Sequence, residues 1–132
     1  MREKISVLLV MACERRLALV ERLQSCGIAV LAVSDCEEAR RILRTRPAVP
    51  VVLTDEKLPD GSWSKVMEEV WQNELEAETI VCTRAEDPGL WIHVLAQGAY
   101  DLLVEPYEGK EVRRIIEAAA AQRGPRPLAV AG

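Results

Sequence analysis

The chain has 132 residues, with 17 Lys and Arg against 21 Asp and Glu and a net charge of −4; that length makes one domain, able to bury roughly two-thirds of its unfolded surface without disulfides or a structural metal. Cys13, Cys26, Cys36 and Cys82 form no CxxC pair and are accompanied by a single histidine, His93, which excludes a zinc or redox motif and fits a reduced, intracellular chain. The acidic balance argues against a broad phosphate-binding surface, so no direct nucleic-acid partner is expected, and no apolar run approaches the about 18 residues of a membrane span.

Arg2 and Lys4 precede an apolar stretch, Ile5 to Ala12, whose Val-Met-Ala-Cys13 end imitates a lipoprotein cleavage box. The stretch is at the short limit for a signal core, Glu3 interrupts the basic region, and no flexible spacer follows. It reads instead as a first strand, with Val7-Leu-Leu-Val10 buried on both faces of a parallel sheet. From Glu14 to Ser25, Leu17, Val20 and Leu23 recur at helical spacing among charged residues, and Gly27 supplies a terminator. A second strand around Ala29 to Val33 follows, then an N-cap at Ser34 or Asp35, Glu37 and Glu38 in the first turn, and a helix through Arg44 stopped by Pro47.

Val51-Val-Leu-Thr54 is the third strand, with Asp55 just beyond its carboxyl end. Leu58-Pro-Asp-Gly61 is a turn, and Ser62 or Ser64 caps a third helix that carries Val66, Met67, Val70 and Trp71 inward. Thr79 to Thr83 is a fourth strand; Asp87 and Pro88 cap and open a fourth helix through Gln97, closed by Gly98. Asp101 to Val104 is a fifth strand, and Gly109 to Gln122 a fifth helix with Val112, Ile115, Ile116 and Ala119 on one face. Residues 123–132, with two prolines and no periodicity, read as a flexible tail or linker stub after a domain spanning 1–122.

Five strands alternating with five helices give a single (βα)5, doubly wound α/β fold, a flavodoxin-like parallel sheet of strand order 2-1-3-4-5. Such a fold places its site at the carboxyl ends of the strands. Met11, Ala12 and Cys13, Asp55 and Glu56, Thr83 and Arg84, and Glu105-Pro106 gather there.

Three segments carry a family resemblance over residues 5–121. Val51-Val-Leu-Thr-Asp55-Glu-Lys-Leu-Pro-Asp-Gly61, Ile80-Val-Cys-Thr83 and Gly98-Ala-Tyr-Asp-Leu-Leu-Val-Glu-Pro106 resemble, in order and spacing, the receiver domain of bacterial two-component response regulators. The resemblance makes Asp55 the phospho-acceptor position and Thr83 the switch hydroxyl. It also implies an acidic pair after the first strand that holds Mg2+, a lysine before the fifth-strand proline, and an aromatic residue in the fifth strand. Here those positions are Met11 and Ala12, Glu105 before Pro106, and Leu102, while Tyr100, of the same parity as Leu102, is no clear substitute. A thioether and a methyl group are poor ligands for a hard cation.

A degenerate receiver is therefore expected: a non-enzymatic, cytoplasmic signalling module that works by protein contact, without a cofactor and independent of Mg-dependent phosphorylation. Its partner is a histidine kinase or a second copy, met through the fourth helix, fifth strand and fifth helix. The alternative is a working phospho-acceptor, modified on Asp55 by a histidine kinase and requiring Mg2+, with Glu14 or Glu56 rebuilding a weak cation site. A flavin-binding protein is discounted, because no Gly/Ser/Thr-rich loop follows the first strand. Arg84 is the candidate to replace the missing positive charge by pairing with Asp55 or Glu105, against a solvated loop arginine. Thr83 is expected to bond Asp55 or a backbone amide. Trp63 either lids the pocket or covers apolar surface, and Trp91, with Val94 and Leu95, is read first as core. His93 is expected exposed, and Arg40, Arg41, Arg44 and Arg46 form a solvated face.

Overall fold

The computed structural model describes residues 4–46, 48–85 and 87–122. The expected helix stop at Pro47 and the tail from 123 lie outside the described residues. In chain order the elements are β1 (Ser6–Val10), α1 (Cys13–Ser25), β2 (Ala29–Val33), α2 (Cys36–Thr45), β3 (Val51–Asp55), β4 (Lys57–Leu58), β5 (Gly61–Ser62), α3 (Trp63–Gln72), β6 (Glu78–Thr83), α4 (Pro88–Ala96), β7 (Asp101–Val104) and α5 (Gly109–Gln122). The main sheet is parallel throughout, ordered β2-β1-β3-β6-β7. With the two-residue strands β4 and β5 set aside, this is the 2-1-3-4-5 order expected from sequence. The β4–β5 hairpin is an addition, closed on the Leu58-Pro-Asp-Gly61 turn.

Side-chain alternation along the strands divides the core. Val7, Leu9 and Met11, Val51 and Leu53, Ile80 and Cys82, and Leu103 pack under α1 and α5 with Leu19, Leu23, Ile115 and Ile116. Leu8, Val10 and Val52 face the other way, against Leu43 of α2 and Val66 and Val70 of α3. Val81 and Leu102 meet Trp63 and Met67 of α3 and Val94 of α4. Each fully buried Leu or Ile contributes about 1.5–3 kcal/mol by removal from water, so the sheet is held from both faces.

Helix ends follow the sequence in most places. Asp35, not Ser34, caps α2: its carboxylate accepts from the Glu38 amide at 2.8 Å, and Glu38 Oε2 accepts from the Ser34 amide at 2.6 Å. Asp60 on the hairpin turn adds a remote cap, accepting from the amides of Cys36 at 2.8 Å and Glu37 at 3.1 Å. Asp87 caps α4 through the Leu90 amide, with Pro88 in the first turn. Ser62 occupies the N-cap position of α3, yet its hydroxyl meets Ser64 rather than the backbone; the Trp63 amide is satisfied by the Glu56 carbonyl. Gly27 and Gly98 adopt φ of +76° and +101° after α1 and α4, the left-handed turn that glycine enters without strain.

Three apolar helix residues stand outside the core, contrary to the inward reading of Trp71 and Trp91. Leu17 is 67% exposed, because the buried face of α1 runs through Leu19 and Leu23, one turn apart, and Leu17 lies about 200° from Leu19 around the helix. Trp71 is an exposed large hydrophobic at the margin of α3, whose buried residues are Trp63, Val66, Met67 and Val70. Trp91 is likewise 47% exposed, leaving Val94 as the buried residue of α4.

Candidate functional site

Asp55 ends β3 and is 4% exposed. By strand parity it shares the side of Val51 and Leu53, the side covered by α1 and α5. Because β1 lies beside β3, with Val10 opposite Thr54, the first turn of α1 rises directly next to the Asp55 carboxylate. Arg15 stands in that turn. Its Nε donates to Asp55 Oδ2 at 2.6 Å and its Nη2 to Oδ1 at 3.1 Å, the bidentate fork that arginine forms with a carboxylate. The same Nη2 lies 3.9 Å from Glu105 Oε1. Glu105 follows β7 on the side of Leu103 and so faces the same guanidinium. One cation therefore serves two carboxylates contributed by different strands.

A third donor to Asp55 is local: the Glu56 amide donates to Oδ1 at 2.9 Å. The hydrogen bonds that Arg15 donates to Asp55, supported by both carboxylates' charge, raise the Arg15 pKa although partial burial opposes it. Burial is the main cause that pushes the nearby Cys82 thiol and Tyr107 phenol upward, and the Asp55 and Glu105 charges add to it. Both groups stay protonated and uncharged beneath the site.

Arg84, the residue expected to neutralise Asp55, does not do so. It is exposed at the rim, and Arg15, from the first turn of α1, faces both carboxylates. Thr83 also departs from expectation, donating to Glu56 Oε1 at 2.9 Å rather than to Asp55. The reason is parity: Thr83 shares the face of Val81, toward α3 and α4, whereas Asp55 lies on the other face. Leu102 is buried with Val81 and Val94, and Tyr100, which precedes β7, packs at the edge of the α1–α5 core instead. Met11 is fully buried, and its carbonyl accepts from Arg16 Nη1 at 3.2 Å. Trp63 is buried and meets His93 edge to face at 5.4 Å, so it fills the core between α3 and α4. His93 is exposed, as expected. Arg40 and Arg41 pair with Glu37 on the outer face of α2.

The residues at this position do not suit a divalent cation. Hard cations require several oxygen ligands, whereas Met11 and Ala12 bring none from their side chains and the Asp55 oxygens are already engaged by Arg15. Glu56 is engaged by Thr83, and among the described residues no group of three or more His, Cys, Asp or Glu is arranged to hold a metal. The cleft above Asp55, of about 610 Å3, is lined by Arg15, Glu56, Lys57, Thr83, Arg84 and Asp87 among others. A larger groove of about 960 Å3 lies at the opposite, amino ends of β1 and β2, with Lys4 and Arg46 as its charged residues.

No protein-family model matches the chain, and no curated protein matches it by sequence. Its shape matches many solved structures. The signal receiver domain of the response regulator NarL from Mycobacterium tuberculosis superposes with a TM-score of 0.81 at 22% identity, covering 92% of this chain and 100% of that one. A response regulator receiver domain from Clostridium thermocellum gives 0.78 at 24% identity over 89% and 94%. The receiver domain of a sensor histidine kinase from Pseudomonas aeruginosa, solved with magnesium coordinated in its active-site cleft, gives 0.78 at 24% over 91% and 100%. Among the described residues no helix is long and apolar enough to cross a membrane. The architecture and its structural relatives agree with the resemblance carried by the three sequence segments: the chain has the flavodoxin-like receiver fold.

Proposed function

We propose that the chain is a signal-transduction receiver module that acts through protein–protein contacts, is not an enzyme, and keeps its aspartate pocket closed to Mg-dependent phosphorylation. The observation that carries this reading is the Arg15–Asp55 fork. An incoming phosphoryl group needs a free carboxylate oxygen as nucleophile and a cation to neutralise the charge it brings. Both Asp55 oxygens already accept hydrogen bonds from a guanidinium, and Glu105 places negative charge at the position where the resemblance implies a lysine.

Contact through α4, β7 and α5 with a histidine kinase or a second copy suits the surface. Trp91 and Ile92 stand 47% and 63% exposed on α4, where the Trp91 indole donates to Asp101 of β7 at 3.4 Å. A cytoplasmic, bacterial setting belongs to the same reading. The test is intact mass after incubation with a small phosphodonor and excess Mg2+, beside Asp55→Asn. The expected result is no change in mass. A gain of one phosphoryl group that disappears in Asp55→Asn would overturn the reading in favour of a working phospho-acceptor.

A further inference from the structure

The cation of this site is covalently tethered, and we infer that Arg15 stands in for a divalent ion: it neutralises Asp55 and Glu105 together and makes the fold indifferent to Mg2+. The inference deepens the proposed function and rests on it. Three observations support it. The guanidinium forks onto Asp55 at 2.6 and 3.1 Å, so it spans both oxygens of one carboxylate. Its Nη2 also faces Glu105 at 3.9 Å, so it bridges two strands of the sheet. Asp55 is nearly buried while Arg15 retains 19% side-chain exposure, so the cation plugs the cleft at its mouth with the anion behind it.

Burying a carboxylate without a partner is strongly unfavourable, and two uncompensated carboxylates across one cleft repel each other. Met11 and Ala12 add no side-chain oxygen to the two carboxylates, so a free cation would be held only weakly and the charge comes from the chain. Arg15 is placed to supply it because only Met11 and Ala12 separate the end of β1 from the start of α1, which seats its first turn over the end of the adjacent β3. A lysine at the same position would keep the charge and lose the fork, since its ammonium is a single point donor. Arg15 is thus a positioning residue for Asp55, Glu105 and the ends of the two strands that carry them.

The test is a double-mutant cycle on urea unfolding, using Arg15→Gln, Asp55→Asn and the combined variant, each with 10 mM MgCl2 and with KCl at matched ionic strength. The two sites are expected to be coupled, the combined variant having a folding equilibrium constant about tenfold better than the two single effects predict. Mg2+ leaves the wild-type protein unchanged. In Arg15→Gln it raises the folding equilibrium constant about threefold, as for a weak site with Kd of about 5 mM, because the unpaired oxygens of Asp55 and Glu105 are then free to hold the ion. Arg15→Lys is expected to retain indifference to Mg2+ while losing part of the coupling. Additive effects overturn the inference, as does a wild-type response to Mg2+ or an Arg15→Gln variant as indifferent to Mg2+ as the wild type. Should Arg15→Gln fail to fold, the combined variant decides: removal of the stranded carboxylate should restore folding, and a combined variant that also fails overturns the inference. Phosphorylation of the wild-type protein with coupling intact would instead refute the proposed function alone.

Discussion

Replacing Asp60 should weaken the whole receiver fold although the residue lies on an exposed turn. Its two oxygens accept from the Cys36 and Glu37 amides, at 2.8 and 3.1 Å, which are otherwise unpaired donors at the start of α2. A lost side-chain cap costs about 1 kcal/mol, and hydrogen bonds to a charged group run to about 1.5–3 kcal/mol with exposed ones at the low end; Asp60→Ala should therefore destabilise by about 2 kcal/mol. With an unfolding entropy of about 2.1 cal/mol/K per residue, that lowers Tm by about 7 °C for a chain of this length. Asp60→Asn, which keeps one acceptor oxygen, should fall about midway. Burial opposes ionisation of Asp60, but the amide bonds outweigh it and hold its pKa below the usual carboxylate value. A depressed pKa gives stability that is present above the ordinary carboxylate range and lost as pH falls through the lower native value. The gap between the wild-type protein and Asp60→Ala should therefore be full at pH 7 and shrink below about pH 4. Urea unfolding at both pH values measures it. A difference under about 0.5 kcal/mol at pH 7, or one unaltered at pH 3, would refute the account.

Tyr107 is buried, and among the described residues its hydroxyl has no hydrogen-bond partner. Tyr107→Phe should thus be neutral or stabilise by up to about 1 kcal/mol in a urea titration, whereas a clear loss would reveal a partner. Thiol labelling at pH 8 should modify exposed Cys13 rapidly and reach Cys36 and Cys82, both buried, only as the chain unfolds. Burial pushes the Cys36 thiol up to about 12. Its contribution to stability is fully present below the unfolded thiol value and is lost as pH rises through the native one, so unfolding monitored from pH 8.5 upward should show declining stability; no decline would contradict a neutral, buried Cys36.

The fold was legible because its signals are local. Val7-Leu-Leu-Val10 and Val51-Val-Leu-Thr54 read as doubly buried strands, Asp35 and Asp87 as caps, and Gly27 and Gly98 as helix ends. α5 occupies the span read from its pattern. The position of Asp55 and the company of Glu105 were legible for the same reason, since both sit at strand ends. The partner of Asp55 was not. Arg15 looks like one more charged residue on an amphipathic helix, and its role emerges only when β1 is placed beside β3 and the inward parity of Asp55 is counted. That count also explains Thr83, which faces Glu56 because it projects from the other side of its strand. Arg84 failed as a candidate because it lies beyond the end of β6, exposed at the rim, while Arg15 of the adjacent helix already holds both oxygens of Asp55. Leu17 and Trp71 failed because an apolar residue at helical spacing need not lie on the stripe that meets the sheet.

The division of the core between two faces has a consequence for biosynthesis. The residues that close the α2–α3–α4 side, the last of them Leu102 and Val104, have all left the ribosome while the other side has α1 but still lacks α5. Leu19, Leu23, Leu53 and Ile80 must wait for Val112, Ile115, Ile116 and Ala119, the far end of the same cluster. At about 5–20 residues per second that interval lasts about one to three seconds. During it a nascent chain displays one finished face and one oily, half-roofed face, on which a chaperone can hold it until α5 arrives.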